Sequence, residues 1–156
     1  MVRQKNTVVK TILLVAGLAV LLAAISVTAQ DTSLLQAVDK YLSNIHVKKY
    51  NLLKVADVNN QMKVRPNLIL LDVRKPAELA KLGKLPAAMN IRLNSLAKNL
   101  DKLPQKDAAI IVYCKSGTRA TYAACSLGIL GYTNVKVMDG GFAAWTKARY
   151  KVEKAK

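Results

Sequence analysis

The chain has 156 residues, which is enough for one domain of ordinary size with a single hydrophobic core. It carries 25 Lys and Arg against 9 Asp and Glu, a formal net charge of +16 that attracts anions of any kind. Aromatic residues make up only 5% and the lysines are scattered, whereas single-strand nucleic-acid binders combine basic residues with exposed aromatics. We therefore expect no nucleic-acid partner. Small oxyanions, acidic proteins, anionic lipids and a merely solubilising surface all remain compatible with the charge.

The first 29 residues have the pattern of an export signal. Residues 1–10 carry three basic residues and no acid, and residues 11–29 contain no charge. Small residues at Val27 and Ala29 then fit a signal-peptide cleavage site. The uncharged stretch is also long enough to span a bilayer. The segment 1–29 is therefore expected to be either a cleaved signal peptide or an N-terminal membrane anchor through residues 11–29. In both cases the rest of the chain is exported, to a periplasmic or other extracytoplasmic compartment, with possible anchoring to the inner membrane.

The remaining chain divides into three parts by its pattern. Residues 30–49 begin with helix-capping residues and continue with apolar residues at helical spacing, which predicts an amphipathic helix. Residues 50–150 alternate short apolar runs with helical segments, and residues 151–156 form a basic tail. The most apolar runs, 67–73 and 108–114, are typical of strands that are covered on both faces. The helices are predicted near 54–63, 76–82, 94–103, 118–130 and 142–150.

Apolar strands that alternate with helices predict an α/β fold, with a mostly parallel sheet of about five strands and helices on both faces. Ligands of such sheets bind at the carboxyl ends of the strands. Cys114 lies at the carboxyl end of the most apolar strand, within the sequence "IIVYCKSGTRATYAACSLG" at 110–128.

A metal site or a disulfide is poorly supported for Cys114. The chain has one histidine, His46, and two cysteines, and neither residue type shows metal-ligand spacing. If a helix begins near Thr118, Cys125 lies about 10 Å along its axis. A disulfide needs Cα atoms within about 7 Å. Cys125 is therefore expected to pack as a small apolar residue on the buried face of the helix.

Two interpretations of Cys114 remain open at this point. The loop "CKSGTR" can curl so that its backbone N–H groups point at one spot, and the helix beyond adds its positive end. Lys115 and Arg119 would add two charges, Gly117 would permit the turn, and such surroundings favour a reactive thiolate. The alternative is a buried cysteine at a strand end with two solvated cations nearby.

Four segments in order resemble the rhodanese family of single-domain sulfurtransferases, over about residues 50–149. "LLDVRKPAEL" is similar to the family's strand followed by D-V-R-x-x-x-E, and "GKLPAAMNI" to its G-H-I-P-G-A-x-N-I segment. "VYCKSGTRA" resembles the active-site loop, and "MDGGFAAW" resembles the closing G-G-x-x-x-W. The sequence departs from the pattern at Lys84, where histidine is usual, and at Ala87, where the second glycine is usual. Thr118 and Ala120 stand where Asn and Ser are frequent.

The resemblance implies an enzyme that carries sulfur on a cysteine. Cys114 would attack a sulfane sulfur, become a persulfide and pass the sulfur to cyanide, a thiol or a protein, with no metal and no separate cofactor. The substrate-binding loop would consist of Lys115, Ser116, Gly117, Thr118 and Arg119. Asp72 and Arg74 would be structural groups near the site, with Glu78 as an ion-pair partner. The two loop cations favour a small anionic donor such as thiosulfate over mercaptopyruvate.

Two other functions compete with sulfur transfer. Phosphatases and arsenate reductases use C-x-x-x-x-x-R, but only four residues separate Cys114 from Arg119, so the loop is one residue shorter. A non-catalytic domain that binds a partner or senses persulfide would keep the fold without turnover.

Overall fold

The computed structural model describes residues 32–44 and 51–155. Residues 32–44 form helix α1, which lies within the segment 30–49 where the amphipathic helix is predicted. The predicted signal peptide or anchor at residues 1–29 lies outside the described residues. Within the described ranges, no helix is both long enough and apolar enough to cross a membrane.

Residues 51–155 form a five-stranded sheet in which every neighbouring pair of strands is parallel. The strands are β1 (Leu52–Leu53), β2 (Ile69–Asp72), β3 (Met89–Asn90), β4 (Ile110–Tyr113) and β5 (Val135–Met138). Their order across the sheet is β1-β5-β4-β2-β3, so β4 lies at the centre. All four residues of β4 are buried, because its apolar run is covered on both faces. The predicted fold class is confirmed.

Four α-helices accompany these strands: α2 (Val55–Val64), α3 (Pro76–Leu82), α4 (Thr118–Ile129) and α5 (Gly141–Lys147). One core cluster joins Val112 of β4 to Ala123 and Leu127 of α4. The other joins Tyr113 of β4 to Trp145 of α5 and Val58 of α2. Successive β4 side chains thus point to opposite faces, and helices cover both.

The segment predicted as one helix near 94–103 is different in the structure. It forms two 3-10 helices, Leu93–Lys98 and Leu100–Lys102, separated at Asn99. The Asn99 side chain donates a hydrogen bond to the Ser95 carbonyl, and the Ser95 hydroxyl donates one to the Arg92 carbonyl. Side chains that bond to nearby backbone groups compete with regular α-helical pairing. The segment is therefore helical, as predicted, but its helices are of the 3-10 type and not α-helices.

Candidate active site

Cys114 directly follows the central strand β4 and is almost completely buried, with 1% of its surface exposed. The backbone N–H of Gly117 donates a hydrogen bond to Cys114 Sγ at 3.1 Å. Gly117 can place its N–H there because it adopts φ +113°, a conformation that a residue with a Cβ resists. The active-site loop, Cys114–Arg119, therefore curls back over the sulfur before α4 begins at Thr118.

The carbonyl groups of this loop are held by the first turn of α5. The N–H of Phe142 donates to the Cys114 carbonyl at 2.8 Å, and the N–H of Ala143 donates to the Lys115 carbonyl at 2.9 Å. The N–H and C=O of a trans peptide point in opposite directions, so the N–H groups of Lys115 and Ser116 are turned away from α5. Within the described ranges, these two N–H groups donate no backbone hydrogen bond. The loop thus presents free donors.

Gly141 is the residue that permits this contact. It has φ +58°, and a Cβ at this position would lie 2.6 Å from the Cys114 carbonyl oxygen and 2.9 Å from that of Lys115. The two glycines were expected to form a turn, but only Gly140 lies in one, and Gly141 is the first residue of α5. The close approach of the turn to the active-site loop was not predicted. The signal for it was the pairing of two adjacent glycines at a helix start.

Arg119 is not a free cation in the loop. Its guanidinium donates to both oxygens of Glu78, Nη1 to Oε2 at 2.6 Å and Nη2 to Oε1 at 2.8 Å. This bidentate pair lowers the pKa of Glu78 to about 2. The same hydrogen bonds to Glu78 raise the pKa of Arg119. Glu78 is therefore the partner of the loop arginine, and it offsets much of the charge that Arg119 was expected to offer.

Asp72 and Arg74 form a second ion pair, which is completely buried. Arg74 Nη2 lies 2.6 Å from Asp72 Oδ2 and also donates to the Gly83 carbonyl at 2.7 Å. Its guanidinium carbon is 4.0 Å from the centre of the Phe142 ring. Burial lowers the pKa of Arg74, but the bonds to Asp72 outweigh it and leave the pKa raised. The buried pair therefore packs against Phe142, the residue whose N–H donates to the Cys114 carbonyl.

Residues 83–88 pack beside this buried pair. The N–H of Leu85 donates to Tyr113 Oη at 3.1 Å, and burial raises the pKa of Tyr113. Lys84, which replaces the usual histidine, donates from Nζ to the Ala88 carbonyl at 2.6 Å. Ala87, which replaces a usual glycine, has φ +58°. The position thus keeps the left-handed conformation that a glycine would adopt without strain.

A recess of about 380 Å³ opens beside the active-site loop, next to β5 and β1. It is lined by Leu52, Ser116, Gly117, Thr118, Thr121, Tyr122, Val137 and Asp139. Three lining residues therefore belong to the loop, and the others come from β1, β5, α4 and the turn after β5.

The structure brings all the predicted loop residues together at one strand end. Lys115 and Ser116 are exposed, Gly117 donates to the sulfur, and Arg119 bonds Glu78. Asp72 and Arg74 lie behind the loop. Both cysteines are free, and Cys125 is half-buried on α4 and not part of the buried core where the sequence placed it. A buried thiol that accepts a backbone N–H hydrogen bond can act as a nucleophile toward an anionic substrate.

Comparison with known proteins agrees with this fold and site. A family model for the rhodanese-like domain matches residues 55–148. A sulfurtransferase of Allochromatium vinosum is 33% identical, over 52% of this chain and 74% of that protein. Thiosulfate sulfurtransferase 16, a chloroplastic protein of Arabidopsis thaliana, is 36% identical over 49% of this chain and 72% of its own. The crystal structure of a rhodanese-related protein from Thermoplasma volcanium superposes with a TM-score of 0.61 at 29% identity, covering 68% of this chain and 100% of that one.

The parallel sheet, the curled loop and the strand-end cysteine define an α/β domain with a nearly buried thiol at the carboxyl end of its central strand. The chain belongs to the rhodanese-like domain family, and its relatives include sulfurtransferases.

Proposed function

We propose that the protein transfers sulfane sulfur from a small anionic donor, thiosulfate being the best fit, to a thiophilic acceptor. The observation that carries the proposal is the 3.1 Å hydrogen bond from Gly117 N–H to Cys114 Sγ. A loop that donates to the sulfur stabilises negative charge there, both on the resting thiolate and on a persulfide. A structural cysteine at a strand end needs no such donor.

In the first step the Cys114 thiolate attacks the outer sulfur of thiosulfate. A bond forms between Sγ and that sulfur, the S–S bond of thiosulfate breaks, and sulfite leaves with the electron pair. In the second step an acceptor attacks the outer sulfur of the persulfide, and the electron pair of the broken bond returns to Sγ. Charge and atoms balance in both steps, so the cycle is a double displacement.

The donor class follows from the charges that remain available. Because Glu78 pairs with Arg119, attraction of an anion falls mainly on exposed Lys115, the free N–H groups of the loop and the positive end of the 12-residue helix α4. The Arabidopsis relative is named a thiosulfate sulfurtransferase, which supports the same donor.

Intact-mass measurement after incubation with thiosulfate tests the proposal. The wild-type protein should gain the mass of one sulfur atom, and Cys114→Ser should gain none. Cys125→Ser is the matched control, because it removes the other free thiol, and it should still gain the sulfur. With cyanide added, only the variants that keep Cys114 should produce thiocyanate. No sulfur gain and no thiocyanate from the wild type would favour a non-catalytic binding or sensing domain.

We also propose that the protein is exported. The basic start, the uncharged stretch 11–29 and the small residues before Gln30 support an extracytoplasmic location, with or without a membrane anchor. N-terminal sequencing of the protein from soluble and membrane fractions distinguishes the two forms. A chain that starts near Gln30 indicates cleavage, and a membrane-bound chain that starts at Met1 indicates an anchor. An uncleaved chain in the cytosol would contradict export.

A further inference from the structure

The recess beside the active-site loop is placed to receive the second substrate. Gly117 both lines the recess and donates to Cys114 Sγ, so the recess and the sulfur share one residue of the active-site loop. The opposite side of the loop is occupied by the Arg119–Glu78 pair. A molecule that approaches sulfur carried on Cys114 therefore has this open space beside it.

The charge of the recess differs from that of the whole chain. Among the described residues that line it, Asp139 is the only charged one. Within residues 32–44 and 51–155, the Asp139 carboxylate forms no salt bridge. In a protein with a net charge of +16, the one charged side chain that lines the recess is negative and would attract a cationic group.

The other lining groups suit a small organic body. Leu52 and Tyr122 are 49% and 62% exposed, so each offers uncovered apolar surface. The hydroxyls of Ser116, Thr118 and Thr121 offer hydrogen bonds in either direction. A short carbon chain could lie against the apolar side chains while its polar end meets a hydroxyl or the carboxylate.

We propose that this recess is the acceptor subsite and that it selects a small aminothiol, with its ammonium group toward Asp139. The proposal rests on the sulfur-transfer function and adds the chemical class of the acceptor. The acceptor thiolate attacks the outer sulfur of the Cys114 persulfide, the bond from that sulfur to Sγ breaks, and the electron pair remains on Sγ. The products are an alkyl persulfide anion and the Cys114 thiolate, so no further oxidant or reductant is needed.

The test separates the two half-reactions. The protein is first loaded with thiosulfate, freed of excess donor and checked by mass. Discharge is then followed with cysteamine, 2-mercaptoethanol and 3-mercaptopropionate, whose ends are cationic, neutral and anionic. Each thiol has its own reactivity, so the informative quantity is the ratio of discharge rates in a variant relative to the same ratio in the wild type.

Asp139→Asn is the test variant and Asp107→Asn is the control. Asp107 is an exposed carboxylate that lines a different surface, with Arg65 and Gln105. In Asp139→Asn the cysteamine to 2-mercaptoethanol ratio should fall about threefold, the size of one partly exposed ion pair. The 3-mercaptopropionate to 2-mercaptoethanol ratio should rise, and Asp107→Asn should change neither ratio.

Three results overturn the proposal in distinguishable ways. Equal ratios in wild type and Asp139→Asn, with normal sulfur loading, would show that the recess does not select the acceptor. An equal fall in Asp107→Asn would assign the effect to net charge. Failure of the wild type to load sulfur would instead overturn sulfur transfer itself, and the acceptor subsite with it.

Discussion

The active-site loop has two very different flanks. On the β2 flank, the side toward β2 and β3, the Asp72–Arg74 and Arg119–Glu78 pairs fill the space with charge matched to charge. On the β5 flank, the side toward β5 and β1, the recess is lined by hydroxyls, two exposed apolar side chains and one carboxylate. The sheet order places the cysteine strand β4 between these flanks.

The difference indicates that the two flanks have different roles around the Cys114 sulfur. Matched pairs on the β2 flank hold the loop in place and leave little room for a ligand. The recess on the β5 flank has no ion pair among the described residues that line it and leaves room for a ligand. A substitution on the β2 flank should therefore change stability and loop geometry, whereas a substitution on the β5 flank should change substrate preference.

Breaking the buried pair should have the largest effect. Arg74→Met keeps the length of the side chain but leaves Asp72 buried without its partner. Such a change costs about 3–5 kcal/mol of unfolding free energy. Urea denaturation followed by circular dichroism measures it. Arg92→Met is the control, because Arg92 is exposed, and it should stay within about 0.5 kcal/mol of the wild type. A loss below about 1 kcal/mol in Arg74→Met would contradict the anchoring role of the β2 flank.

Gly141→Ala should have the next largest effect, because it pushes a Cβ into the loop carbonyls. Gly131→Ala is a matched control: its φ is +91°, also positive, but its Cβ would lie 3.5 Å from the flexible end of Lys106. In both variants the added Cβ lowers the free energy of unfolding by about 1–2 kcal/mol, because this backbone conformation is strained for a residue with a side chain. Only Gly141→Ala should also displace the loop and slow sulfur loading from thiosulfate. Equal loading rates in the two variants would show that the contact between α5 and the loop is dispensable.

Most of the fold could be predicted from the sequence, because the patterns that indicate its strands and helices are local. The apolar runs at 67–73 and 108–114 became β2 and β4, and Pro76 and Gly83 bound helix α3 as predicted. The cysteine's place at a strand end followed from the same runs. These features depend on neighbours along the chain, which a single sequence displays.

The Arg119–Glu78 pair and the recess did not follow from the sequence, because each is made by residues that are far apart along it. Arg119 and Glu78 are separated by 41 residues, and both Arg74 and Arg119 were available to the carboxylate until the structure paired them. The recess brings Leu52 of β1 beside Tyr122 of α4, which depends on the strand order. Lys115 and Arg119 looked equivalent as loop cations, yet only Arg119 has a carboxylate partner in the described ranges.

The Arg119–Glu78 pair predicts a pH dependence of stability. The pKa of Glu78 is about 2 in the folded protein, below its ordinary value of 4.5. A lowered folded-state pKa contributes stability above the unfolded value, and that contribution is lost as the pH falls from 4.5 toward 2. Because the pair is partly exposed, its contribution is about 1 kcal/mol. Glu78→Gln should therefore be less stable than the wild type by about that amount at pH 6.

The difference between wild type and Glu78→Gln should narrow when denaturation is repeated at lower pH and should nearly vanish near pH 2. Asp107→Asn removes an exposed carboxylate for which the structure shows no ion pair in the described ranges, and it should show no such convergence. A constant gap at every pH would mean that Glu78 acts through packing and not through its charge.

The smallest expected effect concerns Ala87, at the outer edge of the β2 flank. Its φ of +58° places a Cβ where L-residues are strained by about 1–2 kcal/mol. Glycine removes that strain but adds freedom to the unfolded chain, which costs about 0.4–1 kcal/mol. Ala87→Gly should therefore stabilise the protein by about 0.5–1 kcal/mol.

Ala77→Gly makes the same chemical change inside helix α3 and should destabilise the protein by about 1 kcal/mol. Opposite signs for one substitution at two positions, measured by thermal denaturation, would show that backbone conformation and not side-chain loss decides stability here. Equal signs would contradict the left-handed assignment at Ala87.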